Sequence, residues 1–215
     1  MSAIGVERLG IVLSAGASRR WGGRPKALLP LGGRPALARI LDRLREAGVP
    51  RIRVVVGPEG PQIRAGIGAA ESETVEWRTN PDRDSGPLGS VRVGLDGPTG
   101  ATWIVLWPVD HPFVGPETLP ALLRAAGSDP ECRWIGPVYG GRGGHPVVLA
   151  ASESRRVASL PRGATLRTLR DDLGEGVRRL AVPDAGVTVN LNTPEEYHAV
   201  VDRIRSRSEG EWTVP

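Results

Sequence analysis

The chain almost lacks lysine. Of its 28 basic residues, Lys26 is the single Lys and the other 27 are Arg. These arginines are spread from Arg8 to Arg207, with no Lys/Arg block and no basic stretch interleaved with aromatics. With 29 Gly and 20 Pro beside them, the formal charge of +4 reads as a coding bias toward Arg, and nucleic acid is not an expected partner. Cysteine is equally scarce. Cys132 has no partner for a disulfide, and the N-terminal MSAIGVERLG shows no basic segment followed by a long apolar one. The expectation is a cytoplasmic, reducing setting. No apolar run approaches the ~20 residues that span a bilayer, so no membrane is expected. Three scattered His and one Cys have no ligand spacing for zinc.

At 215 residues the chain suits one domain with a sizeable core, taken as residues 1–207, followed by an aperiodic, frayed tail at 208–215. Four short runs are apolar, rich in β-branched residues, and closed by Gly, Pro or Asn: LGIVLSAG (9–16), RIRVVVG (51–57), TVEWRT (74–79) and TWIVLWP (102–108). They read as strands. Leu37, Ile40, Leu41 and Leu44 repeat at helical spacing with charged residues outside, and Gly48 is placed to end that helix. Thr193, Pro194 and Glu196 form a capping box for a last helix whose apolar stripe is Tyr197, Val200, Val201 and Ile204. Alternating β and α segments predict an α/β fold, a single Rossmann-like three-layer αβα domain with a mostly parallel sheet. The glycine-rich GGRGGHPVVL (140–149) breaks the alternation and makes the sheet mixed near that edge. Trp103 and Trp107 share a face of one strand and read as core.

In such sheets ligands sit at the carboxyl ends of the strands. LSAGASRRWGGRPKALLP (13–30) lies there, directly after the first strand. It is not a Walker A loop, because no GK[ST] follows, and it is not GxGxxG, because Ala15 and Ala17 flank a lone Gly16. It is a loop of small residues whose backbone N–H groups can face an anion closely, with Arg19, Arg20, Arg24 and Lys26 to neutralise it. A polyphosphate fits. The plain alternative is that Arg20 and Lys26 only solvate a surface turn. One Lys in a chain that otherwise uses Arg weighs toward function, since an ammonium and a planar guanidinium fork are not interchangeable at a crowded phosphate. Asp110, at the end of an apolar strand, reads either as a ligand for a hard cation or as a turn residue ahead of Pro112.

The long ordered stretch LSAGASRRWGGRPKALLPLGGRP resembles the signature of the nucleotidyltransferases of the molybdenum cofactor guanylyltransferase and cytidylyltransferase type, enzymes with a nucleotide-diphospho-sugar transferase-like fold. The resemblance continues through Asn80 before SGPLGS (85–90), then WPVDHPFV (107–114), GGHPVV (143–148) and VNLNTPEEY (189–197). It covers nearly the whole chain. It implies a Mg²⁺-dependent enzyme that binds a nucleoside triphosphate, CTP or GTP, lets the phosphate of an acceptor attack the α-phosphorus, and releases pyrophosphate. The implied acceptor is molybdopterin.

By position in the motifs, the resemblance places Leu13, Ser14 and Ala15 at the base, Gly16 and Arg20 at the triphosphate, and Lys26 at the reacting phosphates. Asn80 and Gly86 join the nucleotide site, and Asp110 is the metal ligand. Asn192, with Asn190 close by, falls at a second metal position, and His145 falls near the acceptor. His145 also reads as an ordinary structural hydrogen-bonding residue, and His111 and His198 read as surface or capping side chains. The base signals conflict: Ala15 favours cytidylyl transfer, whereas GPLGS and VNLNTP resemble the guanylyl branch. Sugar-phosphate or other small-phosphate nucleotidyl transfer, and a non-catalytic nucleotide-binding module, are the alternatives.

Overall fold

Apolar, β-branched runs too short for helices form the central sheet of the protein, seen in a computed structural model that describes residues 7–205. In chain order the first strand is β1 (Arg8–Ser14), and a small two-stranded ribbon follows, β2 (Pro30–Leu31) with β3 (Arg34–Pro35). Next come α1 (Ala36–Glu46), β4 (Arg51–Val56), α2 (Gly60–Ile67), α3 (Ala69–Glu73), β5 (Glu76–Thr79), α4 (Gly86–Leu95) and β6 (Trp103–Pro108). The second half holds α5 (Thr118–Ser128), β7 (Trp134–Tyr139), β8 (Arg142–Gly143), β9 (Val147–Ala150), α6 (Ser154–Ser159), α7 (Leu166–Asp172), β10 (Val177–Ala181) and α8 (Pro194–Arg205).

The sheet order is β10-β7-β9-β6-β1-β4-β5, with β8 paired to β7. β1 lies parallel between β4 and β6, and β5 extends the parallel set. β9 is antiparallel to both β6 and β7, so β7 runs in the same direction as β6. The expected mixed region is therefore the reversed strand β9, fed by the glycine-rich segment, together with the short β8, which is antiparallel to β7. β1 ends at Ser14, so residues 15 and 16 belong to the loop after it.

Because side chains alternate across a strand, each face of the sheet carries its own core. One face packs Val12, Val54, Val105 and Val148 against Leu41 and Leu44 of α1, Ile63 of α2 and Leu122 of α5. The other packs Ile11, Val55, Ile104 and Leu149 against Val91 of α4, Val157 of α6 and Leu169 of α7. These two helical layers complete the three-layer αβα domain. Trp103 and Trp107 are buried in the first core, as their shared strand face predicts. α1 stops as expected: Gly48 adopts φ +69°, its N–H donates to the Arg45 carbonyl, and the Val49 N–H donates to that of Leu44.

A third, smaller core joins Leu29, Leu31 and Ala36 to Phe113, Leu191, Tyr197 and Val201. It ties α8 to the loop that follows Lys26. The capping box also forms, with the Glu196 N–H donating to Thr193 Oγ1 at 3.2 Å and the Thr193 N–H to Glu196 Oε2 at 3.2 Å. The tail at 208–215 lies outside the described residues. Among the described residues, no helix is long and apolar enough to cross a membrane.

Candidate active site

Two loops leave the carboxyl edge of the sheet side by side. Leu13 is in register with Pro108, and the Val109 N–H donates to the Leu13 carbonyl at 3.0 Å. The loop carrying Lys26 and the loop carrying Asp110 thus start from adjacent strand ends, where a parallel sheet presents its ligand.

The first loop is open at its tip and anchored at its base. Ser14 and Ala15 are buried, whereas Gly16 and Arg20 are exposed. The Ser18 carbonyl accepts from the Trp21 N–H at 2.8 Å and from the Gly23 N–H at 3.3 Å, which closes the tip into a turn. A short 3₁₀ turn, Lys26–Leu28, follows; Ala27 is fully buried in the first core, so the residue beside it has a fixed backbone. Further along, Tyr197 Oη donates to the Pro30 carbonyl at 2.6 Å, and its ring meets Trp21 edge-on at 5.7 Å. Lys26 Nζ stands 3.5 Å from Asp110 Oδ2, both side chains partly exposed. The structure thus brings Lys26 and Asp110 together, but no hydrogen bond or ion pair joins Arg20 to either.

The second loop is braced more heavily. The Leu191 N–H donates to the Asp110 carbonyl at 2.8 Å, and Leu191 itself is fully buried. Asn190 and Asn192, half-buried, flank that anchor and so stand beside Asp110 in the fold. His111 does not behave as a surface or capping residue. It is buried, its ring lies 4.7 Å from that of His145, and its Nε2 is 4.0 Å from Asp110 Oδ1. Trp107 Nε1 donates to the His111 carbonyl at 2.9 Å, which turns the chain back under the strand end. Only the adjacency of His111 to Asp110 hinted at this; the pairing with His145 needs the fold.

His145 is held by its N–H donating to the Val187 carbonyl at 2.9 Å. A Cβ on the preceding Gly144 would meet that same carbonyl oxygen at 2.3 Å, so only glycine permits the approach. Burial pushes the His145 imidazole down to about 4, with His111 adding to the effect and Asp110 opposing it. Burial likewise lowers His111, opposed by the Asp110 carboxylate. Both rings are therefore neutral near pH 7, each offering one acceptor and one donor nitrogen.

Asn80 is buried, and its amide is used within its own turn. Its Nδ2 donates to Ser85 Oγ at 3.2 Å and Ser90 Oγ at 3.1 Å, while its Oδ1 accepts from the Asp82 N–H at 3.0 Å. This turn leads into α4, whose first residue, Gly86, has φ +66° and no atom within 4 Å of where a Cβ would stand. Asn80 shapes the approach to Gly86 from below. Asp184, which the sequence did not single out, accepts three hydrogen bonds from two segments around the site.

A compact ammonium and a carboxylate at a parallel strand end, beside a loop of small residues, are groups able to bind a polyphosphate. The sequence profile of the MobA-like NTP transferase domain matches residues 10–179. The chain belongs to that family. It is 31% identical over 191 residues to the molybdenum cofactor guanylyltransferase of Cereibacter sphaeroides, a match covering 87% of this chain and 92% of that protein. The fold superposes on the crystal structure of Rv0371c from Mycobacterium tuberculosis H37Rv with a TM-score of 0.80 and 28% identity, covering 94% of this chain and 100% of the other. A manganese complex of Rv0371c superposes with a TM-score of 0.75 and 26% identity, over 91% and 98% of the two chains. Family and fold together make this MobA-like protein a nucleotidyltransferase.

Among the described residues no group of three or more His, Cys, Asp and Glu is arranged to hold a metal. The oxygen donors that the fold brings to this edge are one partly exposed carboxylate, Asp110, and the amides carried by Asn190 and Asn192, the residues on either side of the Leu191 anchor. These are hard oxygen donors, too few to saturate a cation. Such a set fits an ion that completes its sphere with water and substrate phosphate oxygens, as Mg²⁺ does.

Proposed function

We propose that the protein transfers a guanylyl group from GTP to the phosphate of the molybdenum cofactor precursor, molybdopterin, with release of pyrophosphate. The observation that carries this reading is the Lys26–Asp110 pair at the carboxyl edge, 3.5 Å apart and partly exposed. An oxygen of the acceptor phosphate attacks the α-phosphorus, a new P–O–P linkage forms, the bond from the α-phosphorus to the β-phosphate bridging oxygen breaks, and pyrophosphate leaves. Such a step is dominated by positioning and charge neutralisation.

Lys26 neutralises the reacting phosphates from one side. Residues 13–16 form the base and triphosphate wall, and Arg20 meets the outer phosphates from the exposed tip. Asn80 holds the turn that sets Gly86 against the nucleotide. Asp110, with Asn190 and Asn192, would hold Mg²⁺, which supplies charge neutralisation to the α-phosphate when bound. His145 and His111 form the neutral, buried wall of the acceptor side. Guanylyl transfer is preferred because the full-length relative carries that activity in its name; the buried Ala15 leaves cytidylyl transfer as the competing reading.

The test is pyrophosphate release with molybdopterin, MgCl₂ and either GTP or CTP. Release that requires the acceptor and is faster with GTP supports the reading. Preference for CTP moves the assignment to the cytidylyl branch, and release with a sugar 1-phosphate in place of molybdopterin replaces the acceptor.

A further inference from the structure

We propose that Asp184 is the positioning residue of the acceptor side, fixing Asp110, His111 and His145 relative to one another. Its carboxylate accepts three hydrogen bonds. Oδ2 takes the Gly115 N–H at 2.8 Å and Thr118 Oγ1 at 2.5 Å, and Oδ1 takes the Gly186 N–H at 2.9 Å. Gly115 and Thr118 belong to the segment that runs on from Asp110 and His111 into α5. Gly186 belongs to the 3₁₀ turn Ala185–Thr188, whose Val187 carbonyl holds the His145 N–H. The chain then supplies the Leu191 N–H to the Asp110 carbonyl. One side chain therefore joins the segment bearing Asp110 and His111 to the turn that holds His145.

A local role explains only part of this. An Asp that accepts from the N–H two residues on is an ordinary turn device, and it accounts for the Gly186 bond alone. The bonds to Gly115 and Thr118 join residues far apart in sequence, and charge-assisted hydrogen bonds of this kind are among the stronger ones. The segments also touch at backbone level. A Cβ on Gly186 would lie 2.1 Å from the Phe113 carbonyl oxygen, and one on Gly144 would lie 2.3 Å from that of Val187. With no slack between them, a shift at the node passes to Asp110 and the two imidazoles. An amide cannot replace the carboxylate here, because its Nδ2 would face a donor in place of an acceptor.

This inference deepens the nucleotidyl-transfer reading and rests on it only for its kinetic half. The structural half is read from the chain's three histidines, His111, His145 and His198. In carbon–proton spectra of the imidazoles, assigned through His198→Gln, Asp184→Asn should move the His111 and His145 signals and leave His198, on α8, in place. Thr118→Val, which removes a single donor, should move the same two signals less and keeps the test open if Asp184→Asn folds poorly. Unchanged signals in a folded variant overturn the proposal.

In kinetics, Asp184→Asn should lower acceptor-dependent turnover at least tenfold, since small misplacements at a reacting centre are costly, with a clearly smaller loss of GTP affinity, because Asp110 is displaced while Lys26 and its loop are not. An equal loss of GTP binding and turnover would mark a general structural role and contradict it. If the wild type itself binds no triphosphate, the functional reading falls, and the imidazole spectra still decide the role of Asp184.

Discussion

The two ends of the sheet treat their buried polar groups differently. At the amino-terminal end Arg53 is almost wholly buried, yet all three guanidinium nitrogens are bonded: Nε donates to Glu76 at 2.9 Å, and the terminal nitrogens donate to the carbonyls of Gly94, Asp96 and Pro98 at 2.9–3.2 Å. At the carboxyl end the ring nitrogens His111 Nδ1, His145 Nδ1 and Trp21 Nε1 are buried without a hydrogen-bond partner; Arg8 Nε at the amino-terminal end also lacks one, but the same guanidinium donates through Nη1 to the Ala47 carbonyl at 3.2 Å. Buried polar groups in folded proteins are normally satisfied, so the first arrangement is what stability selects, and the second marks where other demands override it. The amino-terminal end closes the fold, and on the proposed reading the carboxyl end serves the chemistry. Within the carboxyl end a second contrast holds. The Lys26 loop has an open tip tied down through Tyr197, while the Asp110 loop is gripped by Asp184, Leu191 and backbone contacts. On the proposed reading, a triphosphate-binding loop keeps its N–H groups free, whereas the acceptor side has to hold its geometry.

Substitutions at the two ends should therefore separate activity from stability. The largest effect belongs to Lys26→Ala, which should lower pyrophosphate release by about two to three orders of magnitude with an unchanged far-UV spectrum. Near-normal release by that variant would remove the assignment of the loop. Asp110→Asn should follow, with turnover down on the order of a hundredfold and the MgCl₂ titration displaced to higher concentration. A superimposable titration would show that the carboxylate holds no cation.

Arg53→Met reverses the pattern. It strands buried carbonyls at the amino-terminal end and should cost about 3 kcal/mol of stability, roughly 6 to 12 °C in Tm, with GTP affinity intact. Loss of GTP binding without loss of Tm would erase the contrast between the ends. The smallest effect is expected at Thr165, whose hydroxyl accepts from the Thr168 N–H to start α7 on the far side of the sheet. Thr165→Ala should cost about 1 kcal/mol in denaturant unfolding and leave turnover unchanged.

Much of this was legible in the sequence where local chemistry decides the outcome. β1, β4, β5 and β6 follow from β-branched runs, α1 from its apolar spacing and Gly48, and the start of α8 from Thr193 and Glu196. Lys26 stood out by rarity and Asp110 by its place at a strand end, and the fold sets them side by side. The rest depends on contacts between distant segments. α4, with the sequence GPLGSVRVGL, is built from poor helix formers and exists because Leu88 and Val91 pack on the sheet. β10, VRRLA at the sheet edge, has two consecutive Arg in its centre and carries no apolar run long enough to announce itself. His111 and His145 meet only because β9 folds back beside β6, and Asp184 looks like any turn aspartate until Gly115 and Thr118 are brought to it.

The most direct test of the central claim, that the carboxyl edge holds a nucleoside triphosphate through Lys26 and Asp110, is thermal unfolding with GTP, CTP and ATP in MgCl₂ for wild type and Lys26→Ala. A nucleotide at about a hundred times its dissociation constant stabilises by roughly 2.7 kcal/mol, on the order of 5 to 10 °C in a domain of this size. The account predicts that shift for GTP in the wild type and its loss in Lys26→Ala. A GTP shift that survives in Lys26→Ala, or no shift with any of the three nucleotides, would contradict it.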